Sequence, residues 1–155
     1  MLLMNELQQI VTFLRATGIS VEPVAHLEGV TFVPGIRIAS GARLLVNEES
    51  LLWPGDLLHE AGHLAVVPAE QRLGASADAG YDPGLEMAAI AWSWAASIHL
   101  GLHPTVVFHP EGYKGESDWL AENFSNGHYL GVPLLVWMGL TTQADYPCMH
   151  RWLRD

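Results

Sequence analysis

The apolar positions of this chain form two helical patterns. Near the N-terminus, apolar side chains repeat every three or four residues and predict an amphipathic helix over residues 3–16, which Gly18 ends. A longer apolar run, residues 85–100, follows Asp82-Pro83, a pair typical of a helix start because aspartate caps the first turn and proline fits it. Polar residues interrupt this run, so it predicts a buried helix rather than a membrane span.

Three shorter segments also carry local signals. Residues 70–80, with Gly74, Ser76 and Gly80, predict a loop. Residues 105–108 predict a short extended segment, and residues 147–153 a last helical turn.

Between the helical patterns, residues 30–46 predict β structure, in which a Pro-Gly pair separates a short strand from a hairpin. We place the hairpin loop at 39–41, with its glycine at the position that needs positive φ. This register puts five apolar side chains on one face: Ile36, Ile38, Ala42, Leu44 and Val46. It also sets Arg37 opposite Arg43, which indicates either two solvated arginines or a substrate contact.

The stretch around His59, Glu60 and His63 carries the candidate chemistry. On a helix, predicted here over residues 54–66, side chains four apart share a face, so the two imidazoles can converge on one ion. Glu60 lies one step round and can reach a water on that ion, which is the H-E-x-x-H arrangement of zinc enzymes. The apolar flanks favour this interpretation over a hydrogen-bonded structural cluster, which remains the alternative.

Glu86 is the predicted third zinc ligand, because a carboxylate in so apolar a stretch needs a partner. The alternative is a first-turn acid that interacts with the helix dipole. Three protein ligands leave the fourth tetrahedral position for water, as in catalytic zinc sites. Candidate oxyanion donors, by residue type alone, are Tyr113, His128 and Tyr129. Three histidines could instead close the fourth position and make the site structural: His99, His103 and His109.

Composition narrows the class of protein. The chain has 155 residues, half of them apolar, which predicts one globular domain over residues 1–155. Seven basic against seventeen acidic residues give a net charge of −10, which argues against nucleic acid as a partner. The single cysteine, Cys148, and a start without signal-peptide zones predict a cytoplasmic protein with no membrane partner. The oligomeric state is left open.

The run His59-Glu60-Ala61-Gly62-His63, with the E-x-x-A that begins at Glu86, resembles the glutamate-type zincins, especially the minigluzincin-like ImmA/IrrE-like metallopeptidases. The resemblance covers residues 44–98. It implies an α+β, zincin-like fold, mainly helical, with a small antiparallel sheet ahead of the metal-binding helix. It also implies Zn²⁺ at positions 59, 63 and 86, Glu60 as general base, and an extended peptide substrate paired with the strand Arg43–Val46.

The sequence therefore predicts a zinc-dependent metallopeptidase in which a metal-activated water attacks a peptide carbonyl and Glu60 takes its proton. A catalytically inactive zincin-fold module, with a structural metal and a binding or regulatory role, is the alternative. A third hypothesis is an apolar interaction protein without a metal.

Overall fold

The computed structural model describes residues 4–29, 31, 33–75 and 82–155. Within these ranges the chain forms an α+β fold, as predicted, with six α-helices and one small sheet. The helices are α1 (Glu6–Thr17), α2 (Asp56–Ala65), α3 (Ala69–Arg72), α4 (Pro83–His99), α5 (Ser117–Ser125) and α6 (Val132–Trp137). The strands are β1 (Ser20–Pro23), β2 (Ile36–Ala39) and β3 (Arg43–Val46).

The sheet is mixed, which corrects the prediction of an antiparallel one. Its strand order is β1-β3-β2, with β1 parallel and β2 antiparallel to the central β3. The sequence did not reveal β1, because within this four-residue strand only Val21 is fully buried and Pro23 ends it. Proline is tolerated at a sheet edge, where its missing N–H leaves no ladder bond unmade.

The hairpin register differs from the predicted one by two residues. Ala39 pairs with Arg43 and Arg37 with Leu45, so the two arginines are not opposite each other. A two-residue shift keeps the same side chains on each face, and the predicted apolar face is therefore retained apart from Ala42, which lies in the loop. Arg43 instead meets an acidic partner on the parallel strand, with Nη1 3.1 Å from Oε2 of Glu22.

Two helix ends follow the predicted signals. Gly18 ends α1 with φ 105°, and the Asp82 side chain caps α4 by accepting from the backbone N–H groups of residues 84 and 85. The start of α1 was not predicted: Asn5 caps it in a capping box, so the helix begins at Glu6. Position 3 of the first predicted helix lies outside the described residues. The predicted loop 70–80 begins instead inside α3, and its residues 76–80 are likewise outside the described part.

Two predictions for the C-terminal third are wrong. Residues 105–108, expected to be extended, include part of a 3₁₀ turn at Pro104–Val106, and residues 147–153 form bends rather than a helical turn. The tail is held by tertiary contacts instead: the Trp92 indole donates to the Trp152 carbonyl at 2.8 Å and Arg154 N–H to the Ala65 carbonyl at 2.9 Å. Long-range contacts of this kind leave no periodic pattern in the sequence.

Helices α2 and α4 are the central pair of the structure. Nine residues of α4 are buried, as predicted, and they include Trp92, whose side chain is fully inaccessible. A Cβ atom on Gly62 of α2 would lie 2.8 Å from the carbonyl oxygen of Ala89 on α4, so glycine allows the two backbones to approach. Among the described residues, no helix has the length and apolar character required to cross a bilayer.

Substituting Gly62 with alanine is expected to lower the free energy of unfolding by about 1–3 kcal/mol, because the new methyl group overlaps the α4 backbone. Gly74→Ala is the matched control: its Cβ would be 3.9 Å from its nearest neighbour, an ordinary contact. Urea unfolding of both variants measures the difference. Equal stabilities of the two variants would contradict the close approach of α2 and α4.

Candidate metal centre

Three side chains from α2 and α4 meet at one point. The Nε2 atoms of His59 and His63 lie 3.1 Å apart. Glu86 places Oε1 3.1 Å from the first of these nitrogens and Oε2 3.0 Å from the second. The structure therefore brings the predicted metal-ligating residues together, and the Glu86 carboxylate faces the imidazoles.

The spacing and chemistry of these donors fit a divalent cation. Two ligands of a tetrahedral Zn²⁺, each about 2.0–2.1 Å from the ion, are separated by about 3.3 Å, close to the separations observed here. Imidazole nitrogen and carboxylate oxygen are ligands that zinc accepts. Glu60 adds a second carboxylate, with an oxygen within 4.8 Å of a nitrogen on each imidazole.

The carboxylates and imidazoles of the cluster shift one another's pKa values. Burial opposes ionisation of Glu86, but hydrogen bonds from His59 and His63 outweigh it and hold the pKa of this carboxyl far below its usual range. Burial raises the pKa of Glu60, and the two histidines offset part of that rise. Burial alone would lower the pKa of His63, yet its hydrogen bond to Glu86 and the nearby carboxylates raise it.

A chain of hydrogen bonds fixes the far side of the His59 ring. Its Nδ1 lies 3.1 Å from Oη of Tyr113, whose ring edge also packs on the imidazole. The Tyr113 hydroxyl is hydrogen-bonded to Ser93, and Ser93 Oγ donates to the Ile90 carbonyl at 2.8 Å. Burial raises the pKa of Tyr113, so the phenol stays protonated. The hydroxyl of Tyr113, one of the predicted oxyanion donors, is therefore bonded to His59 Nδ1 and to Ser93, on the side of the His59 ring opposite Nε2.

The remaining candidates lie elsewhere. Tyr129 packs on Tyr146 with ring centroids 4.6 Å apart, and His128 is exposed. The three histidines considered as a fourth ligand each have other neighbours: His99 packs on Phe13 and Trp152, His103 contacts Thr105, and His109 contacts Asp56. Among the described residues, only one group of three or more histidine, cysteine or acidic side chains is close enough together to hold a metal ion, and it contains His59, Glu60 and His63.

The strand predicted to bind an extended peptide has no free edge. All four residues of β3 pair with β1 on one side and with β2 on the other. A peptide cannot be added to a central strand, because its backbone N–H and C=O groups are already used in the sheet. The prediction that Arg43–Val46 pairs with substrate is therefore wrong for this arrangement.

Sequence reasoning missed a buried, hydrogen-bonded pair next to the cluster. Asp56, the first residue of α2, places Oδ1 2.6 Å from Nε2 of His109. Burial raises the pKa of Asp56, against the opposing effect of its bond to His109. The spacing of Asp56, one helical turn before His59, was a signal that it lies near the cluster. Nothing in the sequence paired it with His109, which was considered only as a fourth ligand.

Comparison of the chain with protein-family models, with curated protein sequences and with solved structures finds no match in any of the three. The resemblance to the glutamate-type zincins therefore stays a prediction from the motif.

Replacing Glu86 with glutamine is expected to weaken zinc binding by more than about a hundredfold, because a neutral amide replaces the anionic donor. Glu122→Gln, an exposed substitution on α5, is the matched control and should bind like wild type. Competition with a chromophoric chelator on protein purified without an affinity tag measures both. Similar affinities for the two variants would exclude Glu86 from the metal shell.

Proposed function

We propose that this protein is a zinc-dependent hydrolase of the metallopeptidase type, with His59, His63 and Glu86 as metal ligands and Glu60 as general base. The observation that carries the proposal is the convergence of two imidazoles and a carboxylate within 3.0–3.1 Å of one another. A second carboxylate beside them, on the same helix as the histidines, supplies the base.

A bound Zn²⁺ would supply Lewis acidity, activating a water molecule and polarising a substrate carbonyl. The protein residues would bind and orient this ion. His59 and His63 would bind the cation as neutral imidazoles, and contacts with Glu86 and, for His59, with Tyr113 orient their rings. Glu86 adds the anionic donor from the opposite helix.

Glu60 is suited to accept and return a proton. Its carboxyl is partly buried beside the imidazoles, and this burial raises its pKa above the usual value. A carboxylate with a raised pKa takes a proton from water more readily than an exposed one. It can then deliver the proton to a leaving amine, which is the role that the zincin resemblance implies.

A peptide or protein segment is the substrate class that the resemblance favours. The sheet limits where an extended peptide could bind. Because β3 is the central strand, a peptide could pair as an added strand only with β1 or β2 at the edges. The second candidate is a binding or regulatory module with a structural metal, and it is favoured to the extent that a central β3 lacks the substrate-pairing edge that the resemblance implies for a peptidase. The single cysteine favours a cytoplasmic location for either.

Glu60→Gln is expected to lower peptide cleavage by about 10²–10⁴-fold while zinc binding stays near the wild-type value, because the base is lost and the ligands are kept. Cleavage of a mixed-sequence peptide library, followed by mass spectrometry with and without a chelator, measures the activity. Glu70→Gln, on α3, serves as an exposed control.

If zinc-loaded wild-type protein cleaves no peptide in the library, the hydrolase proposal fails and the binding module is favoured. Equal cleavage by wild type and Glu60→Gln would instead remove Glu60 from the reaction.

A further inference from the structure

The buried pair Asp56–His109 has no role in the function described so far. Its two side chains are only 8% and 2% exposed, and the ring of Trp53 stacks on His109 with centroids 4.4 Å apart and an interplanar angle of 4°. Burying an acidic and a basic side chain carries a desolvation cost that their mutual interaction often does not offset, and apolar side chains of similar size often stabilise a core as well. Stability alone therefore does not explain the pair.

Asp56 and His109 belong to segments that meet at His59. Asp56 lies in the first turn of α2, three residues before His59. His109 begins the loop 109–113, in which the Gly112 N–H donates to the His109 carbonyl at 3.1 Å. A Cβ atom on Gly112 would lie 3.2 Å from Cε1 of His109, so the imidazole packs directly under the loop backbone.

The same loop presents Tyr113 in a conformation that needs support. Tyr113 and Lys114 both have φ 54°, in the left-handed region that side chains other than glycine rarely adopt. Ser117 Oγ donates to the Gly112 carbonyl at 3.2 Å, which holds the loop from the α5 side. On the α2 side it is held by the bond between Asp56 and His109.

We propose that Asp56 and His109 are positioning residues of the metal centre: their hydrogen bond ties the first turn of α2 to loop 109–113, so that Tyr113 Oη accepts a hydrogen bond from the Nδ1–H of His59. This inference rests on the proposed function and deepens it. With its proton on Nδ1, His59 keeps the lone pair of Nε2 for the cation, and outer partners of this kind change metal affinity by about 10–100-fold.

The test is a double-mutant cycle read by zinc affinity, measured by chelator competition. Asp56→Asn and Tyr113→Phe are each expected to weaken zinc binding by about 10–100-fold. The double variant should bind no more weakly than the weaker-binding single variant, because both substitutions break the same link to His59. A general loss of packing would not produce this saturation.

Asp145→Asn is the matched control. Asp145 Oδ2 also lies 2.6 Å from a histidine Nε2, that of His150, but the two side chains are 53% and 48% exposed. Removing this charge should leave zinc affinity unchanged.

A second pair of variants serves if Asp56→Asn fails to fold. His109→Gln keeps an N–H donor for Asp56 and is expected to bind zinc like wild type, whereas His109→Ala should bind about 10–100-fold more weakly. Equal affinities of these two variants would overturn the positioning role.

Two outcomes of the cycle separate this inference from the proposed function. In the first, wild type binds zinc, but Asp56→Asn has no effect or the losses of zinc affinity from Asp56→Asn and Tyr113→Phe multiply in the double variant. Only the positioning role is then overturned. If wild type takes up no zinc, the proposed function fails, and the positioning role is tested by ring ¹⁵N shifts of His59 in the metal-free proteins. A shift that indicates protonated Nδ1 in wild type but not in Asp56→Asn supports it, and identical shifts overturn it.

Discussion

The close approach of α2 and α4 is the constraint on which the candidate centre depends. The backbone of α2 at Gly62 lies so close to the Ala89 carbonyl of α4 that a Cβ atom there would be 2.8 Å from its oxygen. His59 and His63 lie on the same face of α2 as Gly62, and Glu86 lies one turn before Ala89 on α4. A larger side chain at the contact would separate the ligands. The glycine between the two histidines therefore sets the distance from both imidazoles to the carboxylate.

Charge and burial act together around this contact. A partly buried carboxylate against two imidazoles is costly to desolvate, and the hydrogen bonds among the three offset that cost. Tyr113 adds a further restraint from outside the helix pair, because its hydroxyl joins His59 to Ser93 on α4. The same helix thus supplies both the carboxylate and the support for the opposite side of an imidazole.

The sequence predicted the parts of the structure that depend on local signals. Caps and helical periodicity located α1, α2 and α4, and the i, i+4 spacing with one acid in an apolar run located the three converging side chains. It did not predict the mixed sheet, because β1 is a short edge strand without a clear alternation. Nor did it predict His109 as the partner of Asp56 or Tyr113 as the partner of His59, since both contacts join segments more than fifty residues apart.

The most direct test of the account is zinc K-edge X-ray absorption on the tag-free protein. The account predicts a four-coordinate ion with two imidazole nitrogens at about 2.0–2.1 Å and oxygen ligands in the remaining positions. A third imidazole or a sulfur ligand in the coordination shell would contradict it, because the site would then be closed by a protein group.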